Sequence, residues 1–271
     1  MDLQLYGKKA LITGSSKGIG EAIAKKLAAE KAIVIVHGRD KAQAEKVADD
    51  IIAQGGHACV VLGDLTQDED VQRLIKDAVK LVGGIDILVN NAGGSGGSKE
   101  GWGDAQVASW VSTFDRNVLA ALRVTTQLLP AMRQAKWGRV INISSVAATM
   151  PPPNAPEYSA SKAAINAMTA SMAKAVAPDG VTVNAVSPGT IHSSALDRRF
   201  REVAVERGVA AEDAPWQDIE RAVLPMFAQV PAGRVGRLDE ISDAIAFLAS
   251  PLAGYITGVN LRIDGGLSPS L

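Results

Sequence analysis

The sequence predicts an α/β protein: a doubly wound, seven-stranded parallel sheet with helices on both faces. Three observations carry that reading. Short apolar runs alternate with longer 3.6-periodic segments along the whole chain, the pattern of repeated β-α-β units. The apolar runs at 33–36 (I-V-I-V) and 86–90 (D-I-L-V-N) do not alternate with polar residues, as befits strands buried on both faces. The first run leads directly into a glycine-rich turn that opens a helical pattern.

The first strand spans 9–13, and helix 18–30 opens out of the turn T-G-S-S-K-G-I-G at 13–20. A second strand covers 32–37, followed by a helix over 40–54 for which Asp40 offers an N-cap. Strand 58–62 runs through G-D-L-T into helix 67–82, and strand 86–90 ends in N-N-A-G. Residues 93–103, G-G-S-G-G-S-K-E-G-W-G, form a loop that would overhang the site. A long helical pattern then covers 104–135, before strand 138–144. Residues 150–156 (M-P-P-P-N-A-P) hold too much proline for a helix or a central strand. Helix 156–177 and strand 181–186 follow. The stretch 190–237 has helical pattern at 194–207 and 216–229, and a connection that long is usually functional, so it reads as a substrate-binding lid. Helix 238–249 and strand 259–263 complete the pattern.

Nothing within the 271 residues reads as a linker, so residues 1–271 are expected to form one domain containing the 190–237 lid. At 47% hydrophobic and 21% charged residues, there is material for a sizeable core. A net charge of −1 gives no reason to expect a nucleic-acid or membrane partner. The single cysteine, Cys59, precludes an intrachain disulfide and fits a reducing compartment. With no leader pattern and no apolar run approaching about 20 residues, a cytoplasmic protein is expected. His37, His57 and His192 show no ligand spacing, so no metal site is expected.

Tyr158 and Lys162 stand four residues apart in a helical pattern, so both side chains leave one helix face. An ammonium one turn away is expected to pull a phenol below its reference pKa of about 10, towards useful acid–base chemistry. Ser145 lies thirteen residues before Tyr158, at the end of the strand-like run V-I-N-I-S-S. It is preferred to Ser144, which should point to the other side of the strand. Gly14, Gly18 and Gly20 fit a turn that brings a pyrophosphate against a helix N-terminus. Where an NAD site would carry an acid after the second strand, this chain has Gly38, then Arg39, with Lys17 in the turn. Two cations there suit a 2′-phosphate, so NADP(H) is favoured. Asp40 keeps NAD(H) possible, unless it only caps the helix. Asp64 and the run Asn90, Asn91, Ala92, Gly93 sit at strand carboxyl ends, where open parallel sheets bind ligands. Asp64 has a competing use as the N-cap of the following helix.

With T-G-S-S-K-G-I-G, G-D-L-T, N-N-A-G, D-R-N-V, I-S-S, Y-S-A-S-K and S-P-G in this order, the chain resembles the short-chain dehydrogenase/reductase family over nearly its whole length. A-Q-V-P-A-G-R at 228–234 and Y-I-T-G at 255–258 look most like its 3-oxoacyl-acyl-carrier-protein reductases. The resemblance implies a Rossmann fold and hydride transfer between a nicotinamide and a carbonyl or secondary alcohol. It implies Tyr158 as general acid or base, Lys162 as its partner and a ribose ligand, Ser145 as donor to the substrate oxygen, and Asn117 as holder of a relay water. It places Ser16, Lys17, Ile19, Asp64, Leu65, Asn91, Ala92, Gly93, Pro188, Gly189, Ile191 and Ser193 around the coenzyme, beside the glycines and Arg39. It also implies a homotetramer or homodimer, built in the tetramer through the helices at 104–135 and 156–177 and the last strand. The alternative is a catalytically silent NADP-binding sensor or interaction protein, against which the intact set of Ser145, Tyr158, Lys162 and Asn117 argues.

Two stretches depart from the reductase pattern. The segment 194–229 is longer, and its Phe200, Trp216, Met226 and Phe227 either line an apolar pocket or pack the lid on the body. His192 lies in the nicotinamide segment, where it could face substrate.

Overall fold

The computed structural model describes residues 1–94 and 102–269. The described strands are β1 (Lys9–Ile12), β2 (Ile33–Gly38), β3 (His57–Leu62), β4 (Ile87–Asn90), β5 (Gly138–Ile143), β6 (Val181–Pro188) and β7 (Asn260–Ile263). They form one sheet in the order β3-β2-β1-β4-β5-β6-β7, parallel throughout. Each predicted strand is present, with ends shifted by one or two residues. This is the single-domain Rossmann architecture expected of the sequence.

Adjacent strand residues face opposite sides, and the core divides accordingly. Ala10, Ile12, Val34 and Val36 pack against α1 (Gly18–Ala29), α2 (Lys41–Ala53) and α9 (Leu238–Ala249). Leu11, Ile35, Val140 and Val183 pack the other way, against α3 (Asp68–Val82), α5 (Ala120–Gln134) and α6 (Pro156–Val176). Both faces are covered, which is why the strands read as continuous apolar runs.

Local chemistry sets the helix ends. The Asp40 carboxylate accepts from the Gln43 N–H at 3.1 Å and caps α2. Asp68, Glu69 and Asp70 occupy the first turn of α3, and Gly83 ends it in the left-handed conformation. Pro156 starts α6, where a missing N–H costs nothing.

The pattern at 104–135 is interrupted. Helix α4 (Val107–Phe114) passes through a π turn (Asp115–Leu119) before α5 begins. The wide turn holds Asn117, and such bulges are common at functional sites. Apolar periodicity carries no mark of the extra residue, so the sequence reads as one helix.

Helices α7 (Ser194–Glu206) and α8 (Trp216–Phe227) have a core of their own, formed by Phe200, Val203, Ala204, Ile219, Val223 and Leu224 with Val235. The fully buried Phe200 stacks on Trp216 at 5.7 Å and on Phe227 at 4.9 Å. Phe200 and Trp216 therefore pack the two helices of this segment against each other, rather than packing the segment on the body. Met226 and Phe227 are about half exposed and edge a shallow hollow on the outer side of the pair. Truncating a buried Phe costs about 3–5 kcal/mol. Phe200→Ala should therefore speed proteolysis within 190–237, while moving the urea midpoint of the sheet less than Leu74→Ala does.

Candidate active site

Strand order reverses between β1 and β4, and a crevice opens there beyond the strand carboxyl ends. It is a cavity of about 1050 Å³. The residues the sequence places around coenzyme and substrate line it, from Gly14 and Ser16 to Ile191 and Ser193, except Asn117 and Asn90, whose side-chain amide is buried against Thr125 and Asn142.

The glycine turn is built by close approach. A Cβ on Gly20 would stand 2.5 Å from both the Gly14 carbonyl oxygen and Asn91 Nδ2. Gly18 has φ +61° and would point a Cβ into open space, so the helix N-terminus is uncovered there. Asn91 Nδ2 donates to the carbonyls of Thr13 and Gly14, both at 2.9 Å. Thr13 Oγ1 accepts from the N–H groups of Asn91 and Ala92 at 3.0 and 3.1 Å. These bonds lock the end of β4 to the turn after β1. A dinucleotide pyrophosphate fits this cradle.

At the other end, Asp64 Oδ1 accepts from the Thr66 N–H at 3.0 Å and its hydroxyl at 2.8 Å, and those bonds, the backbone one foremost, hold the carboxyl below its usual range. Gln67, not Asp64, stands at the cap of α3. The exposed Arg39 lies 3.6 Å from Asp64 Oδ2. Lys17 has no ion pair among the described residues.

Sequence reading missed three contributors here. Arg116 lines the cavity, with Nη2 on Ser112 Oγ at 3.3 Å and a buried Nε that has no partner among the described residues. Its neighbour Asp115 is taken by Arg123 at 2.7 Å. Arg198, in the first turns of α7, overhangs the cavity. His37 is buried in its wall. The ring partners of His37 lie 23 and 26 residues off in sequence, and only for Arg116 was a motif position, beside Asn117, any signal.

At the inner end Ser145, Tyr158 and Lys162 come together. Ser145 Oγ accepts from the Ala147 N–H at 3.1 Å, which leaves its own hydrogen free to be donated. Ser144, expected to point to the other side of the strand, also lines the cavity, but its hydroxyl donates to the Lys162 carbonyl at 3.2 Å. Lys162 Nζ stands 5.7 Å from the Tyr158 ring centre but donates to the Ile143 carbonyl at 2.8 Å.

The expected acidification of the phenol is not what the chain alone produces. Burial raises the Tyr158 pKa, and a hydrogen bond with Ser145 opposes it only in part. Burial also pushes Lys162 down to about 8. Both groups are shifted towards their neutral forms, because enclosure penalises either charge.

Asn117 sits beneath the cavity. Its Oδ1 accepts from the Gly94 N–H at 2.8 Å, and its Nδ2 donates to Ser161 Oγ at 2.8 Å. Ser161 in turn donates to the Tyr158 carbonyl at 2.7 Å, so the π turn is tied to the helix carrying the tyrosine. Ser161, within Y-S-A-S-K, was also missed.

His192 does not line the cavity. It stacks on Trp216 at 3.9 Å and meets Asp197 Oδ2 at 3.3 Å. Of the glycine-rich loop, residues 95–101 lie outside the described residues; Trp102 is exposed and packs near Trp110 at 5.9 Å. Cys59 is half-buried, and burial raises its thiol pKa, so it is an unreactive packing residue. Among the described residues no His, Cys, Asp and Glu side chains gather as metal ligands.

The sequence profile of the short chain dehydrogenases matches residues 8–204. The chain belongs to the short-chain dehydrogenase family. It is 35% identical to a 3-oxoacyl-acyl-carrier-protein reductase of Aquifex aeolicus over 98% of its length and all of the relative's. To the corresponding reductase of Vibrio cholerae it is 36% identical, over 98% and 99% of the two chains. Among solved structures, L-sorbose reductase from Gluconobacter frateurii, complexed with NADPH and L-sorbose, superposes with a TM-score of 0.91. Its identity is 31%, over the whole of both chains.

The depressed Lys162 pKa has a measurable consequence. Between about pH 8 and 10 the folded lysine sheds its proton while the unfolded one keeps it, so this group makes stability rise with pH. Above pH 10 Tyr158, kept protonated in the fold, acts in the opposite sense. The urea midpoint of wild type relative to Lys162→Met should therefore climb from pH 8 to 10, and a flat difference would contradict the burial.

Proposed function

We propose that the chain is an NADP(H)-dependent oxidoreductase interconverting a carbonyl compound and a secondary alcohol, with a 3-oxoacyl group or another ketone or aldehyde as substrate. The observation that carries this reading is the convergence of Ser145, Tyr158 and Lys162 in the cavity that also receives the glycine turn. Similarity to reductases of a 3-oxoacyl group and of a ketose supports the reaction type.

When bound, the nicotinamide supplies or receives the hydride. Tyr158 holds a proton at its hydroxyl for the substrate oxygen in reduction, and the raised pKa keeps that proton in place at neutral pH. Ser145 donates a second hydrogen bond to the same oxygen, where negative charge grows. Lys162, fixed by Ile143, offers its remaining N–H groups to the ribose. Asn117 and Ser161 set the helix of Tyr158 against the cavity floor. The 190–237 segment serves as the lid, with Ser193, Ser194 and Arg198 over the opening.

We also place the protein in the cytoplasm, as a single cysteine, which fits a reducing compartment, favours. It assembles as a homotetramer or homodimer. The exposed Val107, Val111, Leu119 and Leu122 on α4, the π turn and α5, and Leu252, Tyr255 and Val259 near β7, give apolar faces for assembly. Light scattering on the purified chain tests this.

NADPH absorbance loss with a panel of ketones, aldehydes and 3-oxoacyl thioesters tests the activity; tight NADPH binding without turnover of any would favour the silent reading. Tyr158→Phe should lower turnover by about 10²–10⁴-fold while NADPH binding survives. Arg39→Ala should weaken NADPH by roughly tenfold or more and NADH far less, as loss of a charge-assisted bond to phosphate predicts. Equal losses would place 2′-phosphate recognition elsewhere.

A further inference from the structure

The proposed chemistry leaves one buried titratable ring in the cavity wall without a task. His37 is 3% exposed and stands at the carboxyl end of β2, between β1 and β3. Both of its ring nitrogens are engaged. The Gly14 N–H donates to Nδ1 at 3.0 Å, which requires an unprotonated Nδ1. Nε2 lies 3.2 Å from the Gly63 carbonyl, which only accepts, so Nε2 carries the hydrogen. One neutral tautomer satisfies both. The backbone adds two bonds: the His37 N–H donates to Ser15 Oγ at 3.0 Å, and the Ser15 N–H donates to the His37 carbonyl at 2.8 Å.

Gly14 belongs to the glycine turn, and Gly63 precedes Asp64. The ladder of β1 and β2 ends at Ile12 and Val36, so the imidazole continues the tie between neighbouring strands past their paired residues. We propose that His37 is a positioning residue for the coenzyme. Its neutral ring fixes the pyrophosphate turn relative to the Asp64 end of the cleft, so that one rigid dinucleotide meets both at once. This rests on the coenzyme reading above.

Burial holds the imidazole pKa down to about 4. The charged groups facing it, Asp64 at the end of β3 and Arg39 after β2, act in opposite senses and leave burial dominant. Protonation would set a hydrogen on Nδ1 against the Gly14 N–H and undo the tie.

Two substitutions separate the two bonds. Asn carries Oδ1 on Cγ, where imidazole carries Nδ1, so His37→Asn can still accept from Gly14. His37→Gln places its amide one bond further out, towards Gly63, and His37→Leu offers neither bond. NADP⁺ affinity of the full chain is measured by calorimetry, with circular dichroism to confirm folding. His37→Gln and His37→Leu should bind about tenfold or more weakly, the cost of an unmade buried bond, and show the loss in KM for NADPH far more than in kcat. His37→Asn keeps the Gly14 bond but gives up the Gly63 one, so it should also bind more weakly than wild type, though less so than His37→Leu. If one of the loss variants fails to fold, the other carries the comparison. NMR of the wild-type ring should show the neutral Nε2–H tautomer at pH 5.

Wild-type affinity in any of the three variants would overturn the proposal, as would a ring already protonated at pH 5. A wild-type chain that binds neither NADP⁺ nor NAD⁺ would remove the coenzyme reading itself.

Discussion

The site depends on the tie between Thr13 and Asn91. A parallel sheet delivers all its strand ends to one edge, and where the order reverses the loops diverge and leave a crevice. Divergence alone gives two walls with no fixed relation. Thr13 Oγ1 gathers the Asn91 and Ala92 amides, and Asn91 returns its side-chain amide to the carbonyls after β1. The glycine turn and the wall that holds the reacting end of a ligand are thereby one unit. His37 extends the same principle to β2 and β3, and Asn117 extends it to α6.

The catalytic end shows what burial does to an acid–base pair. A single enclosure raises a phenol and lowers an amine, since each is moved towards its uncharged form. The Ile143 carbonyl orients the ammonium without neutralising it. If Tyr158 is the proton donor proposed above, a protonated phenol is the form that reduction consumes, and burial favours that form. Running the reaction towards oxidation requires the phenolate, which this pocket disfavours until further charge enters it.

Fold and site were legible in the sequence to different degrees. Strands were readable because each is buried on both faces, which leaves runs such as I-V-I-V with little other use. The cavity lining was readable because its motifs sit at strand ends, which the α/β pattern brings to one edge. What escaped were contacts across sequence distance. His37 meets partners 23 and 26 residues away, and Asn117 meets Ser161 44 residues on. No local pattern marks such pairs. The π turn escaped because one extra residue hardly disturbs an apolar stripe. The phenol's pKa was misjudged for a related reason: spacing places the lysine beside the tyrosine but does not show how deeply both are enclosed.

Charge bookkeeping in the cleft bears on which dinucleotide it suits. An NAD site would set a free carboxylate at the end of the second strand to meet the ribose hydroxyls. Here that place is Gly38, and the nearest acid, Asp40, is committed to the Gln43 N–H as a helix cap. Asp64 is committed to Thr66, and Asp115 to Arg123. The cations lack such commitments among the described residues: Lys17 has no ion pair, Arg116 has a buried Nε without a partner, and Arg39 makes only a long, exposed contact. Exposed pairs of that kind contribute little and exchange readily for a better anion. A ligand bringing a phosphate in addition to its pyrophosphate answers that imbalance, whereas one bringing a bare ribose would leave Arg39 with only its long contact to Asp64 and Lys17 with no ion pair among the described residues.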